Sequence, residues 1–502
     1  MKLIQQSDER SENDVGDESS KLEWDLLARE EQIEAEKERL TDIKERLGKL
    51  EKRIEGMKEE KRLNLIDSLR AIFSWRNYSV YLATSWMFTA FSYMGSFFNL
   101  YLWQELEWEL ILIGFVIAVA NAISAISRLI GGYVGDVSNR KYLSVVAMFM
   151  MAAYNLIMGI SVEFTWIIIA LLFFSTMDVF KGGSTAFIMD NIPREHSGLG
   201  ISLFSAGRVF GIVTLGVFVV LTPVLGFGPA LRLMFFTGGI FLVIGAIVRA
   251  VLLEGSAPET SREGVSLFSS FIQENRRAVA LLFGAVPGMI AIVVLDSLSD
   301  ALFRFGAYIY IYNQVGIQVP GLILMTIITI LVSVPMMLGT GMLSDRRGER
   351  NTALLVYSIM PICAILMLIA PMFPYWVPMS VIDQADLLFS GLGAIFSTPF
   401  VAIVLKSVND AVWYLMLLTI IQKNLPRRDT AKILSVFWFI VFLISSIGPY
   451  FGGLVFQYFY QGHLFLIVLL LNLIILAWIG TKGLVRNAVN SSSSENDGAS
   501  IT

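Results

Sequence analysis

The sequence predicts an all-α membrane protein: twelve transmembrane helices in two six-helix, pseudo-symmetric bundles, preceded by a cytoplasmic helix or short coiled coil. Three observations lead there. The 502 residues are 55% hydrophobic and only 16% charged, with 40 glycines, which is far from a soluble average. Twelve apolar runs follow Tyr78, each near the ~20 residues needed to cross a bilayer. One glycine–aspartate–basic string occurs twice, each time wedged between two of those runs.

The charge is concentrated at the front. Residues 1–62 hold 14 basic and 19 acidic side chains, which leaves 24 basic and 23 acidic on the other 440. The net charge of −4 is too small to point to nucleic acid as a partner. The acidic, polar start has no cleavable leader, so the first apolar run is expected to act as the membrane anchor. Residues 1–20 read as a disordered tail. Residues 21–69 read as a charged helix. Leu26, Ile33, Leu40, Leu47 and Ile54 fall seven apart, with Ile43, Leu50 and Met57 as a second row. Arg29 and Glu36 interrupt that row early, so the good heptads lie in residues 40–57. The seam fits self-association or a protein partner as well as a single helix lying on its own chain.

The apolar runs lie near 78–103, 110–134, 141–161, 165–190, 198–222, 230–253, 279–312, 319–343, 352–372, 398–423, 432–456 and 463–484. An N-terminal bundle over 70–253, a cytoplasmic linker over 254–278 and a C-terminal bundle over 279–485 follow from them. The connection 373–397 is unusually apolar and suits the membrane surface. The tail 486–502 is low-complexity. One set of loops carries Arg140, Lys141, Arg194, Arg276, Arg277, Arg346, Arg347, Arg350, Lys423, Arg427 and Arg428, while the opposite set has no Lys or Arg. By the positive-inside rule both termini are cytoplasmic in a multi-pass cell-membrane protein. Only Arg232 offends.

The repeated string reads GYVGDVSNRK from Gly132 and GMLSDRRGER from Gly341, 209 positions apart. A second echo, NIPRE at Asn191 and NLPRR at Asn424, supports an internal doubling. Here the chain resembles the major facilitator superfamily (MFS) of transporters, over roughly residues 70–485. That family's loop signature is matched by Gly341, Asp345, Arg346, Gly348 and Arg350. In the first copy Gly132, Asp136, Arg140 and Lys141 match, while Val137 and Asn139 depart from it. Glycine allows close helix approach at a tight turn, and the aspartates can pair with arginines or a helix N-terminus. The resemblance implies that these loops clasp the two halves at the cytoplasmic face and release as the protein changes state. It also implies alternating access, with helices one, four, seven and ten lining a central cavity. The string GPYFGG, Gly448–Gly453, lies in segment eleven rather than in segment five, which argues against a standard drug/proton exporter.

Ionisable groups at membrane depth cost about 2.5–3.5 kcal/mol each on insertion scales, so they face an interior or a cavity. Eight stand out: Asp178 and Lys181 on segment four, Arg208 on segment five, Asp296, Asp300 and Arg304 on segment seven, Lys406 and Asp410 on segment ten. Their spacings of three and four place each set on one helical face. Segment five holds no acid to match Arg208, which is expected to meet Asp178. Segment one offers Trp86, Tyr93 and Asn99 for stacking and hydrogen bonding to a solute. These groups fit structural ion pairs as well as proton exchange. In the second case a carboxylate that loses its basic partner during the cycle changes proton affinity; Asp300 and Asp178 are favoured there over Asp296.

Other chemistry is not indicated. His196, His463 and Cys363 form no metal-ligand cluster, and neither a P-loop nor a Gly-x-Ser-x-Gly elbow is present. No enzyme activity, cofactor or metal is expected. The expectation is a secondary transporter moving a small-molecule solute, with protons as the coupling ion. A uniporter, a drug-type exporter, and a receptor or scaffold acting through residues 40–57 are the alternatives. Four acids balanced by four bases suit a zwitterionic or neutral polar solute.

Overall fold

Glycine and proline set where the helices begin, break and touch. In the computed structural model the described residues are 44, 48, 65–181, 203–204, 206–255, 267–285, 287–347, 349–424 and 430–482. They are helical almost throughout, with no β-strand among them. The chain divides into two units, Met1–Ala71 and Ile72–Thr502. Most of the heptad seam, like the 486–502 tail, lies outside the described residues.

The helices are α1 Leu65–Ser74, α2 Arg76–Ser92, α3 Phe98–Gln104, α4 Leu110–Val137, α5 Arg140–Ile160 and α6 Phe164–Thr176. Next come α7 Phe210–Leu225, α8 Phe227–Leu252, α9 Leu267–Ala285, α10 Pro287–Tyr310 and α11 Val319–Arg347. The last are α12 Glu349–Tyr357, α13 Ile359–Ile369, α14 Met379–Leu388, α15 Thr398–Asn424, α16 Thr430–Tyr458 and α17 Gly462–Lys482. Their bounds follow the apolar runs closely. By length and apolarity, seven helices among the described residues can each cross a membrane, or eight if the broken pair α9–α10 counts as one span. The other runs are interrupted. The first is split by a tighter turn at Tyr93–Phe97, and the ninth is divided between α12 and α13.

Three local findings differ from expectation. The helix α9 starts at Leu267, so the expected linker over 254–278 is helical from residue 267 on. It ends before Pro287, whose ring nitrogen has no proton for the helix ladder. Gly132 lies within α4 rather than at a turn. There it faces Ser435 of α16 so closely that a Cβ would come within 2.9 Å of the serine Oγ. The turn itself falls at Ser138–Asn139, where Asn139 Oδ1 caps α5 by accepting the Lys141 N–H at 3.0 Å. That gives the departing Asn139 its role.

Helix packing rests on small residues, as expected where lipid removes the hydrophobic drive between helices. The helix α4 lies along α16. Near one end Gly114 abuts Pro449 and Tyr450, and Gly453 abuts Leu110 and Ile111. The GPYFGG string is thereby explained: Gly448 faces Ala301 and Gly452 faces Phe305 on α10, while Gly453 serves α4. Elsewhere α8 packs on α5 and α2, α10 on α16 and α17, α11 on α15, and α7 on α11.

The apolar connection 373–397 is ordered. Tyr375 pairs with Ser397, Asp386 accepts the Gly393 N–H at 2.7 Å, and Gly391 takes a positive φ of 83°. Replacing Gly453 by Leu is expected to wedge α4 from α16 and cost about 1–3 kcal/mol, as overpacking does. The check is the thermal midpoint of the detergent-purified protein, with Gly216→Leu, which has open space around it, as the variant that leaves it unchanged.

Candidate functional site

The spacing of four along α10 puts Asp296, Asp300 and Arg304 on one face, and the same spacing joins Lys406 to Asp410 on α15. The fold brings the two faces together. Arg304 Nε meets Asp300 at 2.7 Å and Arg304 Nη2 meets Asp410 at 3.1 Å. Lys406 Nζ donates to Asp300 at 2.5 Å and also to Asp410. Two carboxylates and two cations therefore form a closed ring across two helices. Lys406 is buried, but the Arg304 side chain is 66% exposed and the two acids are about a third exposed. One side of the ring is open to an entering molecule.

Asp296 lies one turn further along α10 and outside the ring. Its Oδ2 accepts from the Trp413 indole at 2.9 Å, and its Oδ1 lies 2.8 Å from the Tyr357 hydroxyl. Tyr357 in turn meets Asn472 of α17 at 2.8 Å.

A second cluster joins α4 to the short helical stretch that follows α6. Asp178 takes Arg128 as its basic partner at 2.7 Å. That corrects the expected pairing with Arg208, because α4 packs against the stretch just past α6, with Gly131 against the Asp178 and Val179 carbonyls. The Arg128 guanidinium also lies 3.4 Å over the Phe442 ring of α16. Lys181 sits 5.1 Å from the Phe88 ring, within electrostatic reach of Asp178 and Arg128. Arg208 is exposed and lies within electrostatic reach of Tyr93.

Segment one supplies structural contacts. Trp86 donates to the Leu203 carbonyl at 3.1 Å and stacks on Phe210. The Tyr93 ring packs against Gly211, and Asn99 donates to the Phe305 carbonyl at 3.3 Å. Past Arg304 on α10, the contacts across to segment one form a layer. Phe97 stacks on Tyr308 with ring centroids 5.3 Å apart, and Gln104 donates to the Tyr312 hydroxyl at 2.8 Å.

Of the repeated loops, Arg140 and Lys141 open α5. Asp136 falls in α4 and Gly341, Asp345 and Arg346 in α11, but the side chains of these residues, and Gly348 altogether, lie outside what is described. Arg350 is in the first turn of α12.

Sequence reasoning missed Arg128 and Arg249, although both are charges inside apolar runs and the same criterion would have found them. Arg249 is 5% exposed, and each of its three nitrogens has a partner: it donates to Thr84 and Ser85 hydroxyls at 2.8 Å and to the Ser144 carbonyl at 3.2 Å. Tyr357, Trp413 and Asn472 carried no signal, since a lone Tyr, Trp or Asn in an apolar run reads as packing.

The Major Facilitator Superfamily sequence profile matches residues 80–412. The chain belongs to that superfamily. No curated protein gave a significant sequence match. Among solved structures, the nucleoside transporter NupG aligns with TM-score 0.57 at 12% identity, covering 80% of this chain and 98% of that one. A D-xylose-proton symporter aligns with TM-score 0.54 at 15% identity, covering 83% and 97%. A POT family transporter in complex with 5-aminolevulinic acid aligns with TM-score 0.59 at 12% identity, covering 80% and 95%. At such identities the likeness is one of fold. This MFS protein is thus a multi-pass membrane protein with the fold of transporters.

Replacing Lys406 by Met leaves Asp300 and Asp410 facing each other with one cation between them. The expected loss is about 3–5 kcal/mol, the cost of breaking a buried pair. Adding Asp410→Leu restores charge balance and recovers much of it, a non-additivity that thermal midpoints of the single and double variants measure.

Proposed function

We propose that this MFS protein is a secondary active transporter that moves a small polar or zwitterionic solute by alternating access, coupled to protons. The observation that carries the reading is the Asp300–Arg304–Asp410–Lys406 ring. Four charges on two helices are a poor way to gain stability compared with apolar packing. An open ring can, however, exchange one internal contact for a charged group of a solute. Its neutrality favours a molecule carrying both signs or neither.

In this reading twelve spans form two halves, 70–253 and 279–485, with both termini cytoplasmic in the cell membrane. Supporting the doubling, α4 on α16 and α7 on α11 are the same pair: second span on eleventh, fifth on eighth. With that orientation the layer of Phe97, Asn99 and Gln104 against Phe305, Tyr308 and Tyr312 would close the outward side, and the ring would be served from the cytoplasmic side. Gly132, Asp136, Arg140, Lys141, Gly341, Asp345, Arg346, Gly348 and Arg350 would clasp that side in the opposite state. Trp86, Tyr93 and Arg208, with the Arg128–Asp178–Lys181 cluster, would border the first half's share of the path, while Asn99 belongs to the closing layer. Nucleosides, xylose and 5-aminolevulinic acid appear in the names of proteins with this fold, and the ring's own chemistry narrows the solute to the zwitterionic or neutral polar class.

The test is uptake into proteoliposomes, using solutes selected by thermal shift of the purified protein. Flux is expected to rise with an imposed pH gradient. Asp300→Asn is expected to lower it at least about tenfold, as losing a charge-assisted contact of ~1.5–3 kcal/mol would, while Glu163→Gln at an exposed loop leaves it unchanged. Equal flux in Asp300→Asn and in the parent overturns the reading.

A further inference from the structure

Tyr357 has one hydroxyl proton and two oxygen neighbours that both ask for it. Asp296 Oδ1 and Asn472 Oδ1 each lie 2.8 Å from its oxygen. The orientation of Asn472 is not free. Its Nδ2 lies 2.8 Å from the Val468 carbonyl and 3.0 Å from Ser299 Oγ. A backbone carbonyl can only accept, so the amide nitrogen must face it and the amide oxygen must face Tyr357. Asn472, Ser299 and Tyr357 are wholly buried, and gaps of 2.8 Å are direct contacts with no room for a bridging molecule. If Tyr357 gives its proton to a carboxylate at Asp296, the Asn472 oxygen is left against a second bare oxygen. If it gives the proton to Asn472, the bond to Asp296 exists only when Asp296 is itself the donor.

The charge count agrees and is independent of the hydrogen-bond count. The groups facing Asp296 are Asp300 and Arg304 on its own helix and Lys406, Asp410 and Trp413 on α15. To these are added Tyr357 on α12 and Asn472 on α17. Asp300 and Asp410 already neutralise Arg304 and Lys406. An ionised Asp296 would be a third acid for two bases. As a neutral acid, Asp296 leaves the group balanced, and every oxygen of the chain has a donor or an acceptor.

We propose that Asp296, rather than Asp300, holds the exchangeable proton. In the conformation described it is a neutral carboxylic acid that donates to Tyr357, which donates to Asn472. Release moves that proton from Asp296 Oδ1 past Asp300 and Arg304 to water at the open side of the ring. The Tyr357 hydroxyl then swings its own proton from Asn472 to the new carboxylate. Asn472 loses its donor, and the bond joining α12 to α17 is given up. Deprotonation therefore loosens two helices that no ion pair of the ring touches. The coupling of this event to solute rests on the transport reading above; the protonation of Asp296 does not.

The experiment is infrared spectroscopy of the full chain in lipid nanodiscs at neutral pH, with no solute added. A carbonyl band of a protonated carboxyl is expected, lost in Asp296→Asn and retained in two double variants that keep the ring charge-balanced, Asp300→Asn with Arg304→Gln and Lys406→Met with Asp410→Leu. The Asn variant keeps the chain intact, its Nδ2 donating to Tyr357 and its Oδ1 accepting from Trp413, so its thermal midpoint stays near the parent's. Trp413→Phe is expected to raise the band's frequency, because the carbonyl oxygen loses its donor. Absence of the band, its survival in Asp296→Asn, or its loss in either charge-balanced double variant overturns the proposal. In proteoliposomes Asp296→Asn is expected to lose the response of solute flux to a pH gradient. A band that behaves as stated with no flux of any solute would instead sink the transport reading and leave the protonation standing.

Discussion

An ionic side chain inside a bilayer is tolerated only with a partner, and that constraint organises this molecule. Between α10 and α15 it is met by closing two carboxylates and two cations into a ring. Against α4 it is met by Arg128 and Asp178, with the guanidinium also covering Phe442 of α16. Arg249 follows a third route, burying its charge under neutral hydroxyls, a carbonyl and the face of Tyr81, 4.2 Å away. These three solutions differ in what they leave for a ligand. Arg249 has spent its donors internally. The ring is exposed on one side, through Arg304, and can exchange one of its contacts.

The ring also has neighbours that explain its placement. One turn toward the start of α10 lies Asp296, held by an indole and a phenol rather than by a cation. One turn toward the end lies the layer of Phe305, Tyr308 and Tyr312, which meets segment one. A single helix thus carries, in order, a group with neutral partners, a group of paired charges and a packed aromatic closure. Movement of α10 would be felt by all three, and α10 itself packs on α16 and α17 through Gly448, Gly452 and Gly306, where any side chain would collide with a neighbour.

Small residues give such movement its geometry. Close approach of α4 and α16 depends on Gly114 and Gly453, where only hydrogen fits because one helix backbone meets another, and on Gly132, which meets the Ser435 side chain. The GPYFGG string and the first glycine of the repeated loop belong to this one seam, although the sequence places them over 300 positions apart.

Hydropathy, charge placement and the doubled loop were enough to settle an all-helical membrane protein of this superfamily, and the helix bounds follow the apolar runs because an apolar stretch of that length can satisfy its backbone only as a helix in lipid. Helical spacing was enough to put Asp296, Asp300 and Arg304 on one face and Lys406 with Asp410 on another, since residues three and four apart always meet. The choice of partners between helices was not legible. Asp178 found Arg128 rather than Arg208, Trp86 turned to a backbone carbonyl, and Asp296 found Tyr357 and Trp413, because rotation and crossing of whole helices decide which faces meet, and no local pattern encodes them. The chain from Asp296 through Tyr357 to Asn472 joins residues 61 and 115 positions apart; only packing in three dimensions sets two acceptors against one proton.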